Sequence, residues 1–162
     1  MRSIVASGLA LLLCAPVALA QAPAEIAPDA IVGVELGMAP ARATALLRKP
    51  IRADRLEDGY QRLVSGAQRV EVYFRTGTSG VVAVTTWSNA LRTQKRVGPC
   101  SSIAALKRAY GAALKPFRRA NRIVAYRAGS LIFTVGPRAR VGVVALGRTA
   151  EAVYVALNAP AC

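Results

Sequence analysis

Residues 97–111, VGPCSSIAALKRAYG, decide the fold, because they repeat in altered form what residues 36–50, LGMAPARATALLRKP, already spell out. Each stretch sets a glycine ahead of a short apolar-periodic run and then passes into strand-like sequence, as a helix laid across a small sheet is written. Gly37 and Gly98, 61 residues apart, mark the two starts. In the first copy Pro40 suits the first helical position and Ala43, Leu46 and Leu47 recur at helical spacing, predicting a helix over 39–48 that stops before Pro50. Ala39 stands where a capping hydroxyl belongs, so packing has to hold this helix. The second copy is better equipped. Ser101 or Ser102 can cap it, Ile103, Leu106 and Tyr110 share one face, and Gly111 closes it.

Working outward, glycine-bounded runs at 60–64, 69–76 and 81–87 read as three strands after the first helix. The middle run alternates, with Val70, Val72 and Phe74 on one side and Arg69, Glu71, Tyr73 and Arg75 on the other, which predicts one buried and one wet face. Four strands are expected after the second helix, at 123–127, 131–135, 141–146 and 152–157. The expectation is therefore an α+β fold of two tandem helix-plus-antiparallel-sheet units, αβββ over 31–90 and αββββ over 91–162, with the short helices packed on one sheet face. The basic stretch 91–96 serves as the joint.

The first twenty residues read as a signal peptide: Arg2 supplies the positive end, residues 4–13 the apolar core, and Ala18-Leu19-Ala20 the cleavage site. The apolar core is shorter than the roughly 20 residues needed to span a bilayer. Cys14 opens a lipoprotein alternative, weakened by Leu13 where a small residue is wanted. Residues 21–30, rich in Pro and Ala, are expected to be a flexible lead-in. An exported protein, periplasmic or secreted, is the expectation. The chain carries a formal +14, and +13 once Arg2 is removed. Such charge gathers anionic polymers, acidic lipid surfaces or acidic proteins, although the base composition of a GC-rich genome would write the arginine and alanine excess equally well. Cys100 and Cys162 survive cleavage, and an even count in an exported chain favours a disulfide closing a loop of about 60 residues and contributing roughly 4 kcal/mol. The other reading of Cys100 is a reactive thiol at a helix start.

Histidine is absent and no Cys-x-x-Cys pair occurs, which removes zinc sites and His-activated nucleophiles from this chain. Ser101 and Ser102 have Ala104 and Ala105 where a serine–lysine arrangement needs lysine. Asp54, Glu57 and Asp58 could supply carboxylates for calcium or hydrolysis, but a solvated turn explains them better. Residues 77–80, GTSG, fit a hairpin turn rather than a phosphate cradle. No catalytic residue, cofactor or metal is expected. Two binding candidates stand out: an aromatic and arginine sheet face of Arg69, Tyr73, Arg75 and Trp87 for a protein partner, and a basic loop of Lys115, Arg118, Arg119 and Arg122 for anions. The first layout could also stack single-stranded nucleic acid, though the sequence holds no sign of specific nucleic-acid recognition.

Gly-Met, a small residue and proline, then Leu-Leu-x-x-Pro in residues 37–50 resembles the opening of the BamE/SmpA-type small outer-membrane assembly lipoproteins. The tandem plan is similar to that of the β-lactamase inhibitory proteins, whose two repeats form a concave binding surface. The resemblance implies a non-enzymatic, protein-binding mode and assigns no contact residue. The sequence thus points first to an exported binding module contacting a protein through a sheet face, next to a cationic protein on an anionic polymer or lipid surface, and third to a hydrolase using scattered carboxylates.

Overall fold

A computed structural model describes residues 25–56, 59–77, 79–148 and 155–157, with the backbone alone at 52–56. The expected signal segment, Cys14, Glu57, Asp58 and Cys162 lie outside the described residues. The architecture is mixed α+β with mostly antiparallel strands. A small hairpin of β1 (Ala30–Ile31) and β2 (Val34–Glu35) leads into α1 (Pro40–Leu46). Four strands follow: β3 (Ile51–Leu56), β4 (Tyr60–Ser65), β5 (Val70–Arg75) and β6 (Val81–Thr86). Next come α2 (Ile103–Tyr110) and a further four, β7 (Lys115–Arg119), β8 (Arg122–Ala128), β9 (Leu131–Gly136) and β10 (Arg140–Gly147). The eight form one sheet in the order β3-β4-β5-β6-β10-β9-β8-β7, every neighbouring pair antiparallel. Its last-made strands, β6 and β10, pair at the centre, with Thr86 opposite Val144 and Val84 opposite Leu146.

Both helices start where the residue pattern predicts. Pro40 opens α1, and Ala39 makes no side-chain cap; Ser102 caps α2 by accepting a hydrogen bond from the Ala105 amide. One arrangement precedes both helices. Gly37 donates its amide to the Val81 carbonyl at 2.7 Å and Val81 donates to Met38 at 2.9 Å; Cys100 donates to Val141 at 2.8 Å and Val141 to Ser101 at 2.8 Å. Each helix is thereby hung from the first residues of the fourth strand that follows it. The helix starts are 63 residues apart, not 61, so Cys100, rather than Gly98, stands where Gly37 does. Both are left-handed, Gly37 at φ +80° and Cys100 at φ +66°. Gly80 beside the first bridge has to be glycine, because a Cβ there would lie 2.5 Å from the Gly37 carbonyl oxygen.

Side-chain alternation divides the sheet into two buried faces. On one, Val70, Val72, Val84, Phe133, Val144 and Leu146 form the main core with Ala43 and Leu47 from the α1 region and Ile103 and Leu106 of α2. Tyr110 of α2 tilts against Phe133 with ring centroids 5.3 Å apart, within the range of favourable aromatic pairs. The start of the described chain joins this core, correcting the expected flexible lead-in from residue 25 onward. Ile26 is 1% exposed and donates its amide to Arg92 at 3.2 Å, so an apolar anchor and backbone pairing tie this segment to the joint between the two strand sets.

Three further expectations change. Residues 51–56, read as a charged turn, are strand β3 at one sheet edge, and 115–119, read as loop, are strand β7 at the other. Both escape an apolar-alternation reading because edge strands carry charge and proline that central strands avoid. The strand expected at 152–157 is not one over its described part: residues 155–157 are helical.

Candidate anion-binding surface

The face opposite the helices is not the wet surface that alternation predicts. Tyr73 is 2% exposed and packs with Ala83 and Val155. Glu71 is 3% exposed. Its carboxylate accepts a hydrogen bond from the Tyr73 hydroxyl and pairs with the Arg62 guanidinium at 3.2 Å. Burial, reinforced by the Glu71 hydrogen bond and charge, pushes the Tyr73 phenol well above the ordinary tyrosine range, with Arg62 and Thr85 opposing. Tyr73 is therefore the buried member of a polar network and not a contact residue on an open face. Of its expected companions, Arg69 is exposed in the turn before β5 at φ +54°, with its carbonyl accepting from Trp87 and Thr86. Arg75 is exposed at the end of β5. Trp87 is half-buried against a separate cluster of Ala125, Ile132, Val143, Ala145 and Ala156. The four do not form one surface.

The basic group does come together, as a hairpin rather than a loop. Lys115, Arg118 and Arg119 lie on β7 and Arg122 opens β8, all exposed. Ala120 and Asn121 join them with φ of +46° and +61°, the paired left-handed conformation whose twist suits a two-residue hairpin turn. Phe117 anchors the edge strand by packing on the Ala125 and Ile132 cluster. Arg118 is pinned to the turn through a 3.3 Å hydrogen bond to the Asn121 carbonyl.

Pairing across this hairpin sets like charges face to face. Lys115 lies opposite Arg127 and Arg119 opposite Arg122, with Phe117 opposite Ala125 between them. Directly opposed like charges destabilise an antiparallel pair by a few tenths of a kcal/mol to about 1 kcal/mol. Among the described residues no ion pair offsets this, and in the sequence residues 72–148 hold 14 Lys and Arg and no Asp or Glu, whereas residues 25–71 hold seven of each. Arg127 does not stand out in the sequence; it joins the group because strand register places it across from Lys115. The counterpart signal in the sequence is the long run without a carboxylate.

Cys100 is half-buried at the bridge before α2, where its carbonyl accepts a 2.9 Å hydrogen bond from Arg140. Asp54 falls on β3, whose side chains beyond Ile51 are outside the described set, so the three carboxylates form no described cluster. Beside α1 a cleft of about 440 Å³ is lined by Pro40, Pro50, Leu63 and Phe74 among others. Among the described residues no group of His, Cys, Asp and Glu could hold a metal ion, and no helix is long and apolar enough to cross a membrane. Comparison with family models, with curated proteins and with solved structures gives no match.

Proposed function

We propose that this chain is an exported, non-catalytic binding module that engages an anionic polymer or lipid surface through its second half. The observation that carries this reading is the run of 13 cations without a carboxylate over 91–148, 12 of them exposed. A surface of one sign raises the local concentration of polyanions and speeds their capture. Two tandem units, 31–90 and 91–162, underlie it, supported by the matching bridges of Gly37 and Cys100 and by four strands after each helix. Cys100 pairing with Cys162 belongs to the same proposal. A cysteine held at φ +66°, where the first half has glycine, takes a conformation that L residues adopt at a cost, as expected where the sulfur has a task.

The test is retention of the mature protein on isolated cell envelopes as salt rises from about 50 to 200 mM, over which a protein making several anion contacts loses orders of magnitude in affinity. Retention that is indifferent to salt sinks the reading. A protein partner, the mode implied by the BamE-type and inhibitory-protein resemblance, is the second reading. What favours it is apolar exposure at the end of α1 and the start of β3, where Leu46 is 40% exposed and Ile51 70%.

A further inference from the structure

We infer that the β7–β8 hairpin is the docking edge for a linear phosphate polymer, an assignment that rests on the anionic-ligand reading above. By strand alternation Lys115, Phe117 and Arg119 project to the face opposite the helices, as Phe117's packing against Ala125 and Ile132 requires. Register puts Arg127 and Arg122 beside the two cations on that same face. The result is two cation pairs flanking an apolar rung, each pair about 5 Å across at the backbone, the pairs separated by about 13 Å along the strand. The register shifts between Phe117 and Arg118, and an extended polyanion laid along β7 meets one pair on each side of that shift.

Three of the four rung cations are arginines, whose planar forks match the oxygens of a phosphate bidentately. Arg127 donates its Nε to the Gly129 carbonyl at 2.8 Å, which leaves its terminal nitrogens for a ligand. Each phosphate inside a chain offers them two non-bridging oxygens and one negative charge. A bilayer is a poorer occupant: the exposed large apolar residues among those described are Leu36, Leu46, Ile51 and Leu157, none on this hairpin, so nothing here inserts among acyl chains. Base stacking is not available either, because Phe117 is held in its cluster. The contact is with backbone charge alone.

Long-chain inorganic polyphosphate, titrated into the full mature chain, tests this. The variant K115Q/R119Q/R122Q/R127Q is compared with R96Q/K107Q/R108Q/R148Q, which removes the same charge from exposed positions elsewhere. The hairpin variant should weaken binding more than about tenfold and lower the salt slope by about three, since each cation withdrawn from a single-stranded polyanion takes roughly 0.7 off the slope. The comparison variant should weaken it only a few-fold. The two-residue variant K115Q/R127Q, which leaves the turn untouched, should show about half the drop in slope and guards against a folding defect in the larger one. Equal losses in the two four-residue variants overturn the hairpin while leaving the anionic reading standing. Tighter binding to phosphatidylglycerol vesicles than to polyphosphate, or equal binding to polyglutamate, overturns the choice of occupant. Absence of any polyphosphate binding by the unaltered chain at low salt overturns this assignment, and salt-indifferent envelope retention would separately remove the reading beneath it.

Discussion

The two ends of the face opposite the helices meet the same problem in different ways. In the first half, Arg62 is given Glu71, and Glu71 in turn holds the Tyr73 hydroxyl, so the cation is consumed inside the protein. Across the sheet's centre the corresponding interior is apolar, Ala125, Ile132, Val143 and Ala145, and among the described residues the hairpin cations at its rim form no ion pair with a carboxylate. Arginine content alone therefore says little about binding. What separates a structural arginine from one offered to a ligand is whether the chain supplies an anion for it. Here Glu71 serves Arg62 in the first half, and residues 72–148 supply no carboxylate of their own.

The largest way to break that contrast is through the proposed Cys100–Cys162 bond. Val155 packs on Tyr73 and Ala156 on the Ile132 cluster, so the chain near the C-terminus covers part of both regions. A staple between Cys162 and the start of α2 would hold that cover in place. Reduction, or Cys100→Ser, should cost about 4 kcal/mol in chemical denaturation. Mass spectrometry of the oxidised protein should show two hydrogens gained on reduction; two free thiols before reduction would remove this account of Cys100.

How much of this could be read from residues follows the same division. Central strands β5, β6, β8, β9 and β10 and both helices were legible, because period and caps are local signals that tertiary packing reinforces. Edge strands were not, since Arg52, Asp54 and Arg55 in β3, and Lys115 and Pro116 in β7, write solvent and not core. Ile26 was hidden among prolines and alanines, since a lone isoleucine has no period to betray it and its bridges, to Ile31 and Thr93, are isolated ones outside any strand. The Tyr73 face differs from its pattern for a subtler reason. Alternation of polar with apolar residues separates two faces, but it cannot tell a wet polar face from one closed by an internal ion pair and a distant segment of chain. Arg127 likewise acquires its meaning only from register.

A smaller effect probes the closed end directly. Tyr73→Phe removes the hydroxyl that donates to Glu71 and should cost about 1.5–3 kcal/mol near neutral pH, the range for a hydrogen bond to a charged group. Its pH signature is more specific. The folded state keeps the Tyr73 proton to higher pH than the unfolded chain, whose tyrosines ionise near 10. Above about pH 10 the unfolded state therefore binds fewer protons than the native state. Stability then falls with rising pH, by at most about 1.4 kcal/mol per unit from this group. Denaturant melts on the alkaline side should be less steeply pH-dependent in the variant, and identical pH slopes in the two proteins would mean that Tyr73 is not held as described.

The smallest effect is the most telling about the open end. Arg119 and Arg122 face each other across the hairpin with no carboxylate in the surrounding 77 residues of chain, so replacing one with a neutral residue relieves a repulsion. Arg119→Gln should leave stability unchanged or raise it by about half a kcal/mol at most, because both side chains are exposed. The gain should be visible at low ionic strength and fade as salt shortens the screening length to about 8 Å near 0.15 M. A loss greater than about 1 kcal/mol would mean that Arg119 already serves the fold through contacts of its own. The hairpin would then resemble the Arg62 end, and the contrast between the two regions would collapse. Unchanged stability combined with weakened polyphosphate binding is the signature of a charge that the folded protein holds for a partner.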